Sequence, residues 1–179
     1  MTDTQSTDIS QKAAKIKLLL LDVDGVLTDN RLIYGDDGQE YKAFYTRDGH
    51  AMVLIQRTGI DIGIITGRRS NLVKKRMQDL KVKHLYQGVP DKLPTFEKLI
   101  AELGIELDQV AYMGDDILDL PILTRVGLAS CPQDSDPEVI SRVDFVSQFV
   151  GGRGAVRELC ELIMRAQNTW QAQLDFYLR

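Results

Sequence analysis

The sequence predicts an α/β domain: a Rossmann-like parallel sheet flanked by helices, with a small β-hairpin flap and no inserted segment long enough to form a cap domain. Three observations predict it. The four leucines Leu18–Leu21 form a short unbroken apolar run, the pattern of a strand buried on both faces. Further apolar runs at 61–65 and 109–113 alternate with amphipathic helical stretches, which calls for a parallel sheet with right-handed crossovers. Each of these three runs ends in a polar signature: Asp22-Val23-Asp24-Gly25, Thr66-Gly67-Arg68 and Gly114-Asp115-Asp116.

The elements follow in order. Residues 1–14 are polar and rich in Ser, Thr, Asp and Gln, a composition that predicts a disordered tail. The first strand covers 16–21. Two β-prone runs, 31–34 and 40–45, surround a Gly/Asp cluster and read as a hairpin flap over 30–46. Asp48 is a good N-cap for a helix over 49–58 that stops at Gly59. After the strand at 61–65, Ser70 or Asn71 opens a helix to 80. A strand at 84–87, a helix over 92–103 capped by Asp91 and closed by Gly104, and a strand at 109–113 come next. A helical turn at 119–125, strands at 127–130 and 144–147 around a small helix at 137–141, a glycine-rich loop at 151–154 and a helix from 155 onward complete the domain, 15–165. Residues 166–179 form a C-terminal tail.

With 179 residues the chain has the size of one ordinary domain. Its net charge of −4 argues against a nucleic-acid partner. It has no apolar stretch long enough to span a membrane and no signal-peptide pattern. Cys131 and Cys160 are the only cysteines and fit no zinc or redox spacing, which suits a reduced, cytoplasmic setting.

The chemistry collects at the strand ends. Asp22 and Asp24 share one side of an extended segment, and like charges so close need a cation or a shared proton. A solvated acidic turn is the alternative for the pair taken alone. Parallel strands bring Asp22, Asp24, Asp115 and Asp116 to one sheet edge, where ligands of open α/β sheets bind. Oxygen-only ligands of this kind suit Mg²⁺. Thr66 offers a hydroxyl to a phosphate oxygen, and Lys92 stands at a helix start that favours anions.

This ordered set, DVDGVLTD, an apolar run into Thr66-Gly67-Arg68, a helix-start lysine and GDDxxD, resembles the haloacid dehalogenase superfamily of aspartyl phosphotransferases. The resemblance implies that Asp22 is the nucleophile and Asp24 the general acid and base. It implies that Thr66 binds the phosphoryl group and Lys92 steadies nucleophile and phosphate. Asp22, the Asp24 carbonyl and Asp115 would bind Mg²⁺, with Asp116 and Asp119 holding metal waters and the loop. The stretches DVDGVLTDNRLIY, GDDGQEYKAFYTRDG, IITGRRSNLVKKR, HLYQGVPDK, AYMGDDILDLP and GGRGAVRE are similar to the capless branch of 3-deoxy-D-manno-octulosonate 8-phosphate phosphatases. That branch implies a sugar-phosphate substrate in lipopolysaccharide precursor synthesis and a homotetramer whose active site a neighbour closes. It implies sugar contacts from Asp24, Tyr45, Thr46, Arg47, Asp48, Gly49, Thr66, Gly67, Arg68, Arg76 and Lys92. Ala51-Met52-Val53 stands where the branch often has a basic residue. A related sugar-acid phosphate, such as a nonulosonate 9-phosphate, is the alternative substrate.

Other readings stand beside these. Arg76 lies in Lys74-Lys75-Arg76, a run that also suits a solvated helix face. His84 opens an apolar strand and reads as structural. Gly151-Gly152-Arg153-Gly154 reads as a flexible hinge rather than a phosphate cradle. A response-regulator receiver also gathers Asp, Thr and Lys around a parallel sheet, but its acidic pair precedes the phospho-acceptor on another strand. A non-catalytic assembly role is disfavoured by the presence of every catalytic side chain. The tail carries Trp170, Leu174, Tyr177 and Leu178 on one helical face, an apolar load that would seek either this chain's own sheet or a neighbouring subunit.

Overall fold

The structure is a computed structural model and describes residues 3–179. Its centre is a six-stranded sheet in the order β5-β4-β1-β6-β7-β8. The strands are β1 (Leu18–Leu21), β4 (Asp61–Thr66), β5 (His84–Gln87), β6 (Val110–Met113), β7 (Leu128–Cys131) and β8 (Phe145–Val146). Every neighbouring pair is parallel. β1 is central, with Leu21 paired to Ile64 of β4 and to Met113 of β6.

The leucine run is apolar throughout because each face of β1 has its own cover. Leu19 and Leu21 pack in one core with α2 (Thr46–Arg57) and α7 (Ala155–Ala166). Leu18 and Leu20 pack in the other with α4 (Lys92–Leu103) and α5 (Leu120–Leu123). Side chains alternate along a strand, so Asp22 continues the parity of Leu18 and Leu20 toward the α4 side, where Lys92 begins its helix. The remaining helices are α1 (Asp3–Ala14), α3 (Asn71–Asp79), α6 (Pro137–Ile140) and α8 (Trp170–Asp175). The flap is a separate antiparallel pair, β2 (Ile33–Tyr34) with β3 (Glu40–Tyr41). No described helix is long and apolar enough to cross a membrane.

Two local expectations are corrected. The N-terminal stretch is not a disordered tail: residues 3–14 form α1, and residues 1 and 2 lie outside the described residues. Ile9, Ala13 and Ile16 are buried in the α7-side core. Gln167 Nε2 donates to the carbonyls of Ala13 (3.2 Å) and Ile16 (2.8 Å), and Lys12 pairs with Asp144 at 2.5 Å. Three apolar residues in a polar segment give little signal by themselves, and the docking surface that uses them lies on α7, far away in sequence. Second, Asp48 does not cap its own helix, which starts at Thr46 after Tyr45. In the C-terminal segment α7 ends at Ala166 and α8 begins at Trp170.

Candidate active site

The C-terminal ends of β1, β4 and β6 meet in a cavity of about 130 Å³ lined by Asp22, Asp24, Asn30, Thr66, Gly67, Arg68, Lys92, Asp115, Asp116 and Leu118. Asp22 is nearly buried, and its N–H donates to the Met113 carbonyl at 3.0 Å, carrying the sheet pairing one residue past β1. The chain then turns through Gly25 at φ +85°. A Cβ there would lie 1.9 Å from Asp115 Oδ2, so only glycine allows the carboxylate to approach.

A buried scaffold organises the charges. Asp91 caps α4, accepting from Leu93 N–H at 3.2 Å, and Lys92 follows as the first residue of the helix. Lys92 Nζ lies 2.9 Å from Asp22 Oδ2 and 2.6 Å from Asp119 Oδ1. Asp119 is fully buried, and four donors surround it. Lys92 and the Tyr112 hydroxyl donate to Oδ1, while the N–H groups of Asp115 (3.1 Å) and Asp116 (3.3 Å) donate to Oδ2. Asp119 therefore fixes both Lys92 and the Asp115–Asp116 loop. Asp116 itself is exposed and accepts from Ile117 N–H at 2.6 Å, closing the 3₁₀ turn Ile117–Asp119.

Protein partners leave one oxygen unsatisfied on each of two carboxylates that line the cavity: Asp22 Oδ1 and Asp115 Oδ1 are buried with no hydrogen bond.

 A buried unpaired carboxylate oxygen is costly, and two on carboxylates that line one cavity could hold a cation. Asp119 stands within reach of the same point, since its ligand atoms and those of Asp22 and Asp115 lie within 4.8 Å of one another. Its oxygens already have four donors, so Asp22 and Asp115 are the carboxylates with an oxygen free to hold an ion. The electrostatics agree. Burial, then repulsion from Asp119, raises the Asp22 carboxyl to about 6 despite the opposing pull of Lys92. Burial, then repulsion from Asp119 and Asp22, raises Asp115 to about 8. Burial alone would lower the Lys92 ammonium, but Asp119 and Asp22 outweigh it and leave it raised. An oxygen-only donor set with surplus negative charge fits a hard divalent cation such as Mg²⁺.

The flap supplies groups that sequence reasoning missed. Lys42, on the segment leaving β3, has a side chain only 1 % exposed and donates to Asp24 Oδ1. Arg68 Nε lies 3.9 Å from Asp24 Oδ2, and its terminal nitrogen reaches the Tyr34 hydroxyl (3.2 Å) and Glu40 Oε2 (3.4 Å). Asn30 Nδ2 donates to Asp115 Oδ2 at 3.3 Å. Lys42 carried one signal: it is two residues from Glu40, which puts both on one side of an extended chain. Tyr112 carried none, because its position in β6 reads as core.

Several expected sugar contacts lie elsewhere in this chain. Asp48 is buried and accepts from the N–H groups of Gly154 (3.3 Å) and Arg157 (2.9 Å), so it caps α7 across 106 residues of sequence. Tyr45 and Arg47 line a second cavity, of about 300 Å³, with Phe149, Arg153 and Arg157. Thr46 is exposed at the start of α2. The Arg76 guanidinium lies against Gly49, where a Cβ would be 2.1 Å away, and over the Phe44 ring at 5.9 Å. Thr66, Gly67, Arg68 and Lys92 do line the Asp22 cavity. The loop at 151–154 packs against the turn after β1: a Cβ on Gly151 would lie 1.8 Å from the Gly25 carbonyl, and Gly152 N–H donates to Val26 O at 2.9 Å. It braces the turn that follows β1.

Residues 86–159 match the family model of haloacid dehalogenase-like hydrolases. The 3-deoxy-D-manno-octulosonate 8-phosphate phosphatase KdsC of Escherichia coli strain K12 is 46 % identical over 162 residues, 90 % of this chain and 86 % of that protein. The chain belongs to this phosphatase family. Within the family, the crystal structure of the Moraxella catarrhalis 3-deoxy-D-manno-octulosonate 8-phosphate phosphatase, in complex with magnesium ion, phosphate ion and KDO, has a TM-score of 0.94 and 41 % identity. It covers 96 % of this chain, which covers 98 % of it. A probable YrbI family phosphatase from Pseudomonas syringae reaches a TM-score of 0.95 at 42 % identity, covering 97 % of this chain and 98 % of its own. The expected phosphatase family and α/β fold are both met.

Proposed function

We propose that this chain hydrolyses 3-deoxy-D-manno-octulosonate 8-phosphate to the free sugar acid and phosphate, with Mg²⁺, as a cytoplasmic step of lipopolysaccharide precursor synthesis. The observation that carries the reading is the pair of unpartnered oxygens on Asp22 and Asp115, facing one cavity with Thr66 and Lys92. The substrate name comes from the family relatives.

Asp22 attacks the phosphorus through a carboxylate oxygen, and the bond from phosphorus to the sugar oxygen breaks. Asp24 gives its proton to that oxygen. Asp24, now a carboxylate, takes a proton from a water whose oxygen attacks phosphorus; the bond to Asp22 breaks, phosphate leaves, and both aspartates are restored. Lys92 holds Asp22 in place and offsets phosphoryl charge, while Thr66 and the backbone around Gly67 receive a phosphoryl oxygen. Mg²⁺, held by Asp22, Asp115 and the Asp24 carbonyl, would neutralise charge on the phosphoryl oxygens. Arg68 is the cation best placed to meet the sugar carboxylate.

A homotetramer belongs to the same reading. The flap exposes Leu32, Ile33, Tyr34 and Tyr41, and the tail exposes Leu174, Phe176, Tyr177 and Leu178. Tyr45 and Arg47 would then serve a neighbour's substrate, and the tail would help close that site. Within this chain the tail rests on α2, where Tyr177 hydroxyl and His50 Nε2 lie 2.9 Å apart.

The test is phosphate release across a panel of sugar-acid phosphates with Mg²⁺, together with sedimentation. Preference for the octulosonate 8-phosphate supports the assignment; preference for a nonulosonate 9-phosphate would replace it. A monomer at micromolar concentration would remove the shared site.

A further inference from the structure

The flap carries a lysine whose setting the catalytic scheme above does not use. Lys42 is almost fully enclosed, which is rare for a lysine without a dedicated partner. Its ammonium hydrogen bonds to Asp24 Oδ1. It also lies 3.3 Å from Glu40 Oε1, yet that oxygen has no hydrogen bond. The directed bond therefore goes to Asp24, and Glu40 supplies charge balance from the side.

The strand geometry explains how the lysine gets there. Tyr34 pairs with Glu40 across the hairpin, and Ile33 with Tyr41. Tyr41 and Ile33 are exposed. Glu40 and Lys42, two residues apart, turn inward over Asp24 and Arg68. Asp24 itself follows β1 on a turn and has no other hydrogen bond to its carboxylate among the described residues; Arg68 Nε stands 3.9 Å away. A carboxylate that must deliver a proton and later collect one needs a fixed orientation. With Oδ1 held by Lys42, Oδ2 is the oxygen left to exchange the proton.

Resting on the phosphatase reading above, we infer that Lys42 is a positioning residue for the acid and base Asp24, supplied by the flap, so that the flap orients the group that transfers the proton. The structure assigns it no contact with the phosphoryl group.

The prediction separates the two chemical steps. Lys42→Met keeps an unbranched side chain and removes the donor. p-Nitrophenyl phosphate has a leaving group that departs with little protonation, so single-turnover phosphorylation of Asp22 by it should stay within about threefold of wild type. Turnover of alkyl esters, glycerol phosphate or the sugar phosphate, and hydrolysis of the phosphoenzyme should fall roughly 10- to 100-fold, a part of the usual contribution of a positioned acid or base. A burst of nitrophenol and an acid-quenched phosphoenzyme should appear. Glu40→Gln removes the neighbouring charge and leaves the bond to Asp24, so its phosphoenzyme should turn over within a few-fold of wild type.

Equal loss of single-turnover phosphorylation on both ester classes, no loss on either, or the same phosphoenzyme accumulation in Glu40→Gln would overturn the assignment. Thermal unfolding and Mg²⁺ titration check that the variants are folded. Should Lys42→Met not fold, Lys42→Gln, which retains a donor without the charge, is judged by the same contrast and should show a smaller loss. If the wild-type enzyme acts on simple phosphate monoesters but not on the octulosonate ester, the substrate assignment fails, while the contrast between nitrophenyl and glycerol phosphates still decides the role of Lys42.

Discussion

Removing the metal should make stability depend on pH in a direction that the site dictates. Burial, then repulsion from Asp119 and Asp22, pushes the Asp115 carboxyl up from 3.8 to about 8 in the folded chain without metal, and burial, then repulsion from Asp119, pushes Asp22 up to about 6. A carboxyl whose value is raised on folding holds its proton more tightly in the folded state. The folded state is therefore favoured at low pH, and that advantage is lost as pH rises through the folded value. For Asp115 the interval from about pH 5 to about pH 8 corresponds to ~4 kcal/mol at 1.36 kcal/mol per pH decade. Asp22 shares its repulsion with Asp115, so its share is not added. In a domain of this size, ~4 kcal/mol is worth roughly 10 °C in Tm. A bound divalent cation offsets the same repulsion. The Tm gained on adding saturating Mg²⁺ to chelator-treated protein should thus be ~10 °C larger near pH 8 than near pH 5, read by differential scanning fluorimetry. Asp115→Asn should lose this pH dependence. A gain in Tm that is equal at both pH values would refute the reasoning.

Other outcomes follow from the same contacts. Asp22→Asn keeps shape but lacks the attacking anion, so kcat should fall at least ~1000-fold, measured by phosphate release. Asp119→Asn weakens the grip on Lys92 and places an amide among four donors; denaturant unfolding should show a loss of ~3 kcal/mol, the scale of breaking a buried ion pair. Asp48→Ala frees the N-terminus of α7 and should cost ~1–2 kcal/mol while leaving the Mg²⁺ affinity of the Asp22 site unchanged, checked by unfolding and calorimetry.

Much of this protein was legible along the chain because the relevant signals are local. Four leucines in a row require cover on both faces of a strand, and a carboxylate placed directly after them must lie at the sheet's edge. The order of Asp22, Thr66, Lys92 and Asp115 could be read with no knowledge of distances, since parallel strands put their ends together. Asp48 shows where that reading stops. A carboxylate near a helix start looks like that helix's cap, yet its oxygens accept from Gly154 and Arg157. Which N–H groups lie closest is decided by how α2 packs on α7, and no local pattern records it. α1 is similar: Ile9 and Ala13 become a core face only because α7 is there to receive them. Asp119 looked like one more acidic residue of a motif, and only the fold surrounds it with Lys92, Tyr112 and two backbone N–H groups. The sequence by itself determined the sheet, the strand ends and the kinds of residue gathered there. Tertiary structure decided which carboxylate oxygens are already satisfied and which remain for an ion, because hydrogen bonding depends on distance and direction between segments far apart in the chain.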